Sequence, residues 1–293
     1  MIVVTGGLGF IGQNLVQDLT SKGFEVMSLD IKTMTTNEIR KFLFENASDI
    51  EFIFHMGAIT DTMQENVIKL DLYNYSFSIF IWNLCSVHNI PLIYASSAAT
   101  YGDGKNGFND DNIRNLIPLN PYAISKQKFD EYAVIAGHKP PKWYGLKFFN
   151  VYGVDESDKG RMASMVHQGY RQIKDNGEIK LFHSGEQTRD FIYVDDVVDV
   201  CMFFMNEKPV SGIYNVGTGE ARSFNDLAKI IFRLLNVKEN ITYIDLPKLL
   251  IDKYQLNTKA KLNKLRNAGS KTNFRSLEQG ISEYINKLEM YDL

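Results

Sequence analysis

The chain has 293 residues, of which 44% are hydrophobic and 23% charged, so it can bury one large core or two compact units. Its 32 basic and 35 acidic residues give a formal net charge of −3, which argues against a nucleic-acid-binding protein. No apolar run approaches the roughly 18 residues of a membrane helix, no signal-peptide pattern opens the chain, and two cysteines are too few for a disulfide framework or a zinc site. We therefore expect a cytoplasmic enzyme with no metal and with neither nucleic acid nor membrane as partner.

Apolar runs alternate with helix-like stretches through the first half of the chain. Five strands are predicted, at Ile2–Val4, Glu25–Leu29, Glu51–Phe54, Pro91–Tyr94 and Tyr144–Phe148. Four helices are predicted between them, at Ile11–Ser21, Asn37–Asn46, Val67–Val87 and Ala123–Ala136. Because the strands are continuously apolar, they resemble strands that helices cover on both faces. The alternation predicts an α/β fold with a doubly wound parallel sheet, the Rossmann fold.

The second half is less regular and predicts a smaller lobe. Its predicted elements are a helix at Met162–Lys174, a strand at Ile179–Phe182, a helix capped by Asp195 or Asp196, a strand at Gly212–Val216, a helix after Ser223, a strand at Ile241–Ile244 and a helix after Ser276. We expect residues 1–155, with about 190–218, to bind a dinucleotide, and about 156–189 with 219–293 to form a substrate-binding lobe.

Glycines follow the first strand at a spacing typical of a phosphate-binding turn. Gly6, Gly9 and Gly12 open the first helix, where backbone N–H groups and the helix dipole can hold a pyrophosphate. The second strand ends at Asp30, whose carboxylate can accept hydrogen bonds from a ribose 2′-hydroxyl. That carboxylate favours NAD over NADP, whereas Lys32 could partly reverse the preference, so the sequence leaves both cofactors open.

A tyrosine and a lysine four residues apart, Tyr122 and Lys126, lie on one face of a predicted helix. An isolated tyrosine titrates near 10, and a nearby ammonium together with a positive nicotinamide would lower that pKa enough for proton transfer. Ser97 follows the fourth strand, at the carboxyl edge where doubly wound sheets bind ligands. It can therefore hydrogen-bond the same substrate hydroxyl as Tyr122.

With these elements in order, the chain resembles the extended short-chain dehydrogenase/reductase family of nucleotide-sugar enzymes. Further matching segments are His55–Ala58, Asn74, Phe149–Gly153, Arg189–Asp196 and Tyr214–Gly219. The resemblance implies that Ser97, Tyr122 and Lys126 are catalytic. It also implies cofactor contacts beyond the three glycines and Asp30, namely Phe10, Ile11, Ile31, Lys32, Met56, Gly57, Ala58, Asn74, Tyr122, Lys126 and Val151.

The residues after Ser97 narrow the choice within that family. Dehydratases carry an acidic pair there, decarboxylating members a glutamate at the position of Ala98, and epimerase/reductases of the GDP-fucose pathway a cysteine at the position of Ala99. None of these is present. The segments Ala95–Gly102, Asn150–Gly153, Lys159–Ser164, Pro247–Gln255 and Leu265–Gly269 are instead similar to those of the family's ADP-glyceromanno-heptose 6-epimerases. That similarity makes Lys159 a second catalytic acid/base, since inversion of a carbinol needs a proton carrier on each side.

The similarity to these epimerases also implies a substrate site, although some residues depart from the pattern of the family. Its predicted residues are Ser97, Asn150, Arg161, Gln168, Phe182, Arg189 and Tyr254. Arg161 stands where the family has a small serine, and His167 precedes the position of the expected histidine, which Gln168 occupies. The loop 182–189 is one residue short. The twenty residues from 31 to 50 leave no room for the strand usual there, so the sheet is predicted to be one strand short.

We therefore predict an NAD(P)-dependent nucleotide-sugar epimerase that oxidises and re-reduces one carbinol carbon of a nucleotide-diphosphate heptose or related sugar. Two alternatives stay open: a nucleotide-sugar dehydrogenase or reductase that exchanges its cofactor, and a catalytically silent binding protein. We also expect a homo-oligomer, because related enzymes pair two helices that here carry Phe77, Phe80, Trp82, Phe129 and Tyr132. These aromatic residues could equally cover the sheet.

Overall fold

A computed structural model describes residues 1–247 and 254–291. The strands are β1 (Ile2–Thr5), β2 (Val26–Leu29), β3 (Phe52–His55), β4 (Leu92–Ser97), β5 (Trp143–Phe148), β6 (Asn150–Tyr152), β7 (Ile179–Phe182), β8 (Thr188–Tyr193), β9 (Gly212–Val216), β10 (Ala221–Ser223) and β11 (Ile241–Ile244). The α-helices are α1 (Phe10–Ser21), α2 (Thr36–Glu45), α3 (Val67–Leu70), α4 (Phe77–His88), α5 (Pro121–Ile135), α6 (Met165–Asn176), α7 (Val194–Glu207), α8 (Phe224–Leu234), α9 (Asn263–Asn267) and α10 (Leu277–Tyr291). A π-helical stretch, Asp71–Ser76, joins α3 to α4.

Six parallel strands form the central sheet in the order β2-β1-β3-β4-β5-β9. Alternate residues of β1 face opposite layers, because Ile2 and Val4 pack with α1 and α7 whereas Val3 packs with α2, α4 and α5. Helices thus cover both faces, and the predicted doubly wound sheet is confirmed. Strand β2 lies at one edge of this sheet. Residues 31–50, which follow it, contain only α2 and a short 3-10 turn (Ala47–Asp49), which confirms the missing strand.

The smaller sheets lie outside this core. Strands β10-β8-β6 form a mixed sheet, with β10 antiparallel and β6 parallel to β8, and β11 pairs with β7 in parallel. Helices α6, α8 and α10 pack with them around a separate hydrophobic cluster that includes Tyr170, Phe232 and Tyr284. The predicted elements do not include β6, β8, β10 or α9. Three of these have only three to five residues and show too little periodicity to be recognised, and β8 begins with the polar residues Thr188–Asp190.

The predicted cap of α7 is wrong. Tyr193 precedes this helix without a side-chain cap, and Asp195 and Asp196 lie in its first turn. Asp196 is buried and forms an ion pair with Arg275, so packing against the C-terminal segment takes the carboxylate away from the helix end. Among the described residues, no helix is both long and apolar enough to cross a membrane.

Candidate active site

The glycine turn after β1 leaves the start of α1 open for a ligand. Gly9 precedes the helix and supplies no side-chain cap, so the first N–H groups of α1 remain available to an anion. Gly6 has φ +70°, and a Cβ there would lie 2.4 Å from the Cα of Gly57. A Cβ on Gly12 would lie 2.0 Å from the carbonyl oxygen of Gly6. Only glycine permits this close approach, and the resulting cradle fits a dinucleotide pyrophosphate. Phe10 and Ile11 begin α1 beside it, half-buried.

The end of β2 lies against this turn. Asp30 is buried, and its two carboxylate oxygens accept hydrogen bonds from the backbone N–H groups of Leu8 (3.0 Å) and Lys32 (2.9 Å). The Lys32 ammonium reaches back to the carbonyl oxygen of Leu8 at 3.2 Å. Ile31 is 53% exposed. The carboxylate is therefore fixed beside the phosphate turn, where an adenosine ribose would lie.

Asn74 holds the loop that follows β3. Its side chain exchanges two hydrogen bonds with the backbone of Ile59, at 2.8 and 2.9 Å, and donates a third to the hydroxyl of Ser125 on α5 at 3.0 Å. The loop contains Met56, Gly57 and Ala58 of the predicted cofactor site. Asn74 lies in the π-helical stretch, a distortion common at functional sites. Asn74 thus fixes the loop after β3 through hydrogen bonds to the backbone of Ile59.

Ser97, Tyr122 and Lys126 come together at the carboxyl end of β4. Helix α5 begins with Asn120 as its cap and Pro121 in its first turn, so Tyr122 and Lys126 face β4 from its first two turns. The Tyr122 hydroxyl lies close enough to the Ser97 side chain for the two to interact. The Lys126 ammonium donates to the carbonyl oxygen of Ala95 at 2.9 Å. The structure thus brings together the three residues predicted to be catalytic.

Burial dominates the protonation of this pair. It raises the pKa of the Tyr122 phenol above its ordinary value, and the interaction with Ser97 partly opposes this rise. Burial also lowers the pKa of Lys126 to about 8, against the attraction of Asp130. The lysine is therefore mostly protonated at neutral pH, and activity that depends on its charge should decline as the pH rises above 8. The lowered tyrosine pKa expected from the sequence included a positive nicotinamide, and this chain's own groups do not produce it.

A fully buried ion pair between Lys147 and Asp130 is connected to Ser97 through hydrogen bonds of Thr100. The Lys147 ammonium donates at 2.6 Å to the carboxylate of Asp130 and at 2.6 Å to the hydroxyl of Thr100. Thr100 in turn donates to the carbonyl oxygen of Ser97 at 2.8 Å. Tyr94 and Ser96 also donate to the Asp130 carboxylate. Asp130 lies four residues after Lys126 on α5, so the network ties that helix to β4 and β5. No sequence motif indicates this network, because a single charged residue within an apolar strand has no characteristic pattern.

Loss of one partner of this pair should strongly destabilise the protein. Lys147→Met leaves the Asp130 carboxylate buried and unpaired, and we expect the free energy of unfolding to fall by about 3–5 kcal/mol. The double variant Asp130→Leu/Lys147→Met removes both charges and should recover most of that loss. Urea unfolding followed by circular dichroism measures both values. A single variant as stable as the wild type would contradict the ion pair.

A segment of the chain crosses the carboxyl ends of β1, β2 and β3. We call residues 154–162 the strap. Its start accepts hydrogen bonds on backbone carbonyls from Gln13 (3.1 Å) and Asn14 (3.2 Å) of α1. Further along, Asp158 forms an ion pair with Lys32 at 3.1 Å. The Lys159 ammonium lies 4.8 Å from the centre of the Phe10 ring, and burial lowers the pKa of Lys159.

The end of the strap is held by two other predicted site residues. Arg161 forms an ion pair at 2.7 Å with Asp61, in the loop after β3. Gln168 donates to the carbonyl oxygens of Ala163 (2.6 Å) and Arg161 (3.3 Å). His167 instead contacts the hydroxyl of Tyr284 at 2.9 Å. Arg161 and Gln168 thus organise the strap itself, and their direct contact with substrate stays a prediction.

The remaining predicted substrate residues lie in the smaller lobe. Arg189 is buried, with its guanidinium 5.0 Å from the ring centre of Tyr254 and 5.5 Å from that of Phe224. Phe182 meets Tyr254 edge to face at 6.3 Å. Phe182, Arg189 and Tyr254 therefore form one half-open aromatic and cationic shelf. Within the predicted Pro247–Gln255 motif, residues 248–253 lie outside the described part of the chain.

Three further residues lie near the start of β6 and the turn after Ser97. Asn150 and Val151 were predicted as site residues, and Gln255 was not. Asn150 is exposed at the start of β6 and accepts from Thr258 at 3.4 Å, and Val151 is half-buried beside it. Gln255 was not singled out within its motif, yet its amide donates to the carbonyl oxygen of Gly102 at 2.6 Å. It therefore ties the smaller lobe to the turn after Ser97.

Residues 2–217 match the model of the family described as "NAD dependent epimerase/dehydratase family". The chain belongs to this family. It is 42% identical to an ADP-L-glycero-D-manno-heptose-6-epimerase of Fusobacterium nucleatum, over 97% of each chain. Among solved structures it resembles the enzyme of the same name from Helicobacter pylori, with 30% identity, a TM-score of 0.86, and 98% and 96% of the two chains covered. The UDP-glucose 4-epimerase of Thermotoga maritima, solved with UDP-glucose, shares the fold at 22% identity and a TM-score of 0.87, over 100% and 99% of the chains.

These similarities confirm the family and the class of enzyme that the sequence predicted. The predicted class was an NAD-dependent epimerase of the extended short-chain type. The family description names NAD, and the glycine cradle with Asp30 fits that cofactor. The roles of the individual site residues stay predictions.

Proposed function

We propose that this chain is a nucleotide-sugar epimerase that inverts one carbinol carbon of an ADP-linked heptose by transient oxidation. The observation that carries the proposal is the joint placement of Ser97, Tyr122 and Lys126 at the carboxyl end of β4, beside a glycine cradle that fits NAD. The names of its relatives, at 36–42% identity, supply the substrate class.

Tyr122 acts as acid and base on one side of the sugar carbon. Its hydroxyl takes the proton of the substrate hydroxyl while Ser97 hydrogen-bonds the same oxygen. The Lys126 ammonium, fixed by the carbonyl of Ala95, would favour the phenolate together with the positive charge of an oxidised nicotinamide. The cradle, Asp30 and the Met56–Ala58 loop would hold a nicotinamide dinucleotide, which would supply reversible hydride transfer when bound.

Lys159 is proposed to act on the opposite side. The ketone formed by oxidation must turn over in the pocket, so its oxygen then needs a second proton donor. Burial lowers the pKa of Lys159, which brings it nearer to the range useful for proton transfer. The strap carries this lysine, with Gly160 in a left-handed conformation (φ +51°) directly after it. Access of the ammonium to the sugar requires it to leave the ring of Phe10.

The aromatic and cationic shelf suits the nucleotide half of the substrate. Phe182 and Tyr254 offer ring faces to a base, and the guanidinium of Arg189 matches the oxygens of a diphosphate. We propose, accordingly, that residues 1–155 with about 190–218 hold the cofactor and that about 156–189 with 219–293 hold the sugar nucleotide. Helices α6, α8 and α10, which fall in the second group, share a separate hydrophobic cluster, and Tyr152 and Tyr193 of the first group pack into the same cluster.

Binding of nucleotide sugars tests the proposal without a full assay. A ligand that binds only the native state raises the melting temperature, by an amount that grows with its concentration relative to Kd. We expect ADP-sugars to stabilise the protein more than GDP-, UDP- or CDP-sugars at equal concentration. In the assay, an ADP-heptose should be epimerised with no net change in nicotinamide. Steady consumption of reduced nicotinamide would indicate a reductase instead.

We further propose a homo-oligomer, formed through the outer faces of α3, α4 and α5. The aromatic residues on which this expectation rested are mostly in the core, with Phe77, Trp82 and Phe129 all at most 5% exposed. Aliphatic side chains of these helices and of the π-helical stretch between α3 and α4 are exposed instead, namely Ile68, Leu72, Val87, Ile124 and Ile135. Sedimentation should give a dimer or larger species at micromolar concentration, and a monomer would contradict the proposal.

Two buried free cysteines, Cys85 and Cys201, fit a reducing compartment, and we propose the cytoplasm.

A further inference from the structure

We infer that Asp158, on the strap, is a specificity residue that disfavours cofactors with a 2′-phosphate. The inference deepens the proposed function, because it rests on a nicotinamide dinucleotide being bound in the glycine cradle. Asp158 lies far along the chain from the phosphate turn, and none of the sequence motifs includes it. Its carboxylate nevertheless lies 3.1 Å from the Lys32 ammonium, two residues after Asp30.

Lys32 is the cation best placed to receive a 2′-phosphate. Its backbone N–H donates to Asp30, and its ammonium lies 3.2 Å from the carbonyl of Leu8, so its side chain spans the space beside the Asp30 carboxylate. A ribose held by Asp30 would present its 2′ position to this space. The ion pair with Asp158 compensates the ammonium there, and the group formed by Asp30, Lys32 and Asp158 carries a net charge of −1.

Three other cations near the edge strand β2 contact other groups and not the space beside Asp30. Arg40 of α2 packs over the rings of Phe77 and Phe80, at 5.8 and 5.3 Å from their centres. Lys41, on the same helix, lies 3.8 Å from Glu45. Lys159, next to Asp158, places its ammonium over Phe10. Among these four cations, Lys32 is the one that faces the ribose side of Asp30, and Asp158 therefore decides whether its ammonium is available to a phosphate.

Asp158→Asn should move the cofactor preference toward NADP. Removal of one negative charge beside a doubly charged phosphate should raise the affinity for NADP relative to NAD by about three- to tenfold at low ionic strength, with a smaller shift at high salt. The protein is equilibrated with equimolar NAD and NADP, and native mass spectrometry gives the ratio of the two bound species. Because the ratio is measured, a general loosening of the strap, which alters both affinities by the same factor, does not affect the result.

Asp155→Asn is the matched control. It removes the same charge from the same exposed strap, and Asp155 has φ +67°, a conformation that asparagine tolerates. The control should leave the ratio unchanged, and Lys32→Gln should move it toward NAD. An unchanged ratio in Asp158→Asn, or an equal shift in the control, would overturn the inference while leaving the proposed function intact. If the wild-type protein binds neither cofactor, both the inference and the proposed function fail.

Discussion

Tyr122→Phe should lower the rate of epimerisation by about 10²–10⁴-fold, the range for loss of a general acid–base group. The variant keeps the ring that packs against β4 and loses only the hydroxyl that meets Ser97. Its stability and its affinity for NAD should therefore change little. Steady-state kinetics on the purified variant, with bound cofactor measured in parallel, gives the effect on kcat at constant occupancy.

Tyr132→Phe provides the control on the same helix. Its hydroxyl contacts Asn83 at 3.2 Å, away from β4. We expect wild-type kinetics from this variant. Should Tyr122→Phe retain kcat within a few-fold of the wild type while Tyr132→Phe behaves normally, the assignment of Tyr122 as proton carrier would be wrong.

Lys159→Met should cause a loss of similar size, again about 10²–10⁴-fold, but with a different pattern. The variant keeps Tyr122, so the epimer whose hydroxyl faces the tyrosine can still be oxidised. With that epimer alone, reduced nicotinamide should accumulate to at most one equivalent per site, as seen by its near-ultraviolet absorbance. Tyr122→Phe should show the mirror image and fail with the epimer that Lys159→Met still accepts.

Lys238→Met is the control for Lys159→Met, because Lys238 is an exposed lysine far from the strap in the chain. Its kinetics should match those of the wild type. If Lys159→Met oxidises both epimers equally, or epimerises at the wild-type rate, Lys159 is not the second proton carrier. The inversion would then need a donor from another part of the pocket.

Local patterns in the sequence were sufficient to predict the parallel sheet and the phosphate-binding turn. Continuous apolar runs such as Phe52–Phe54 identify buried parallel strands, and the glycines at 6 and 12 meet a steric demand that no other residue satisfies. The spacing of Tyr122 and Lys126 follows from helix geometry alone. Each of these features is encoded within a few consecutive residues, so a single sequence can reveal it.

Contacts between distant segments were not predictable in the same way. The pairs Asp130–Lys147, Lys32–Asp158 and Asp61–Arg161 join residues 17, 126 and 100 positions apart. Nothing local in the chain distinguishes these charged residues from solvated ones, since each depends on how the strap and helices pack onto the sheet. The same limit hid the ion pair with Asp61 that Arg161, a residue predicted to contact substrate, forms in the structure.

The most direct test of direct, reversible oxidation follows the hydrogen on the inverted carbon. If Tyr122 and Lys159 exchange protons only with the sugar oxygen, the carbon-bound hydrogen leaves and returns as hydride without meeting solvent. Epimerisation in deuterium oxide, followed by proton NMR of the product, should therefore show no deuterium at that carbon, with no net consumption of nicotinamide. Stoichiometric deuterium at the inverted carbon would contradict the account and indicate an epimerase that acts through an enol.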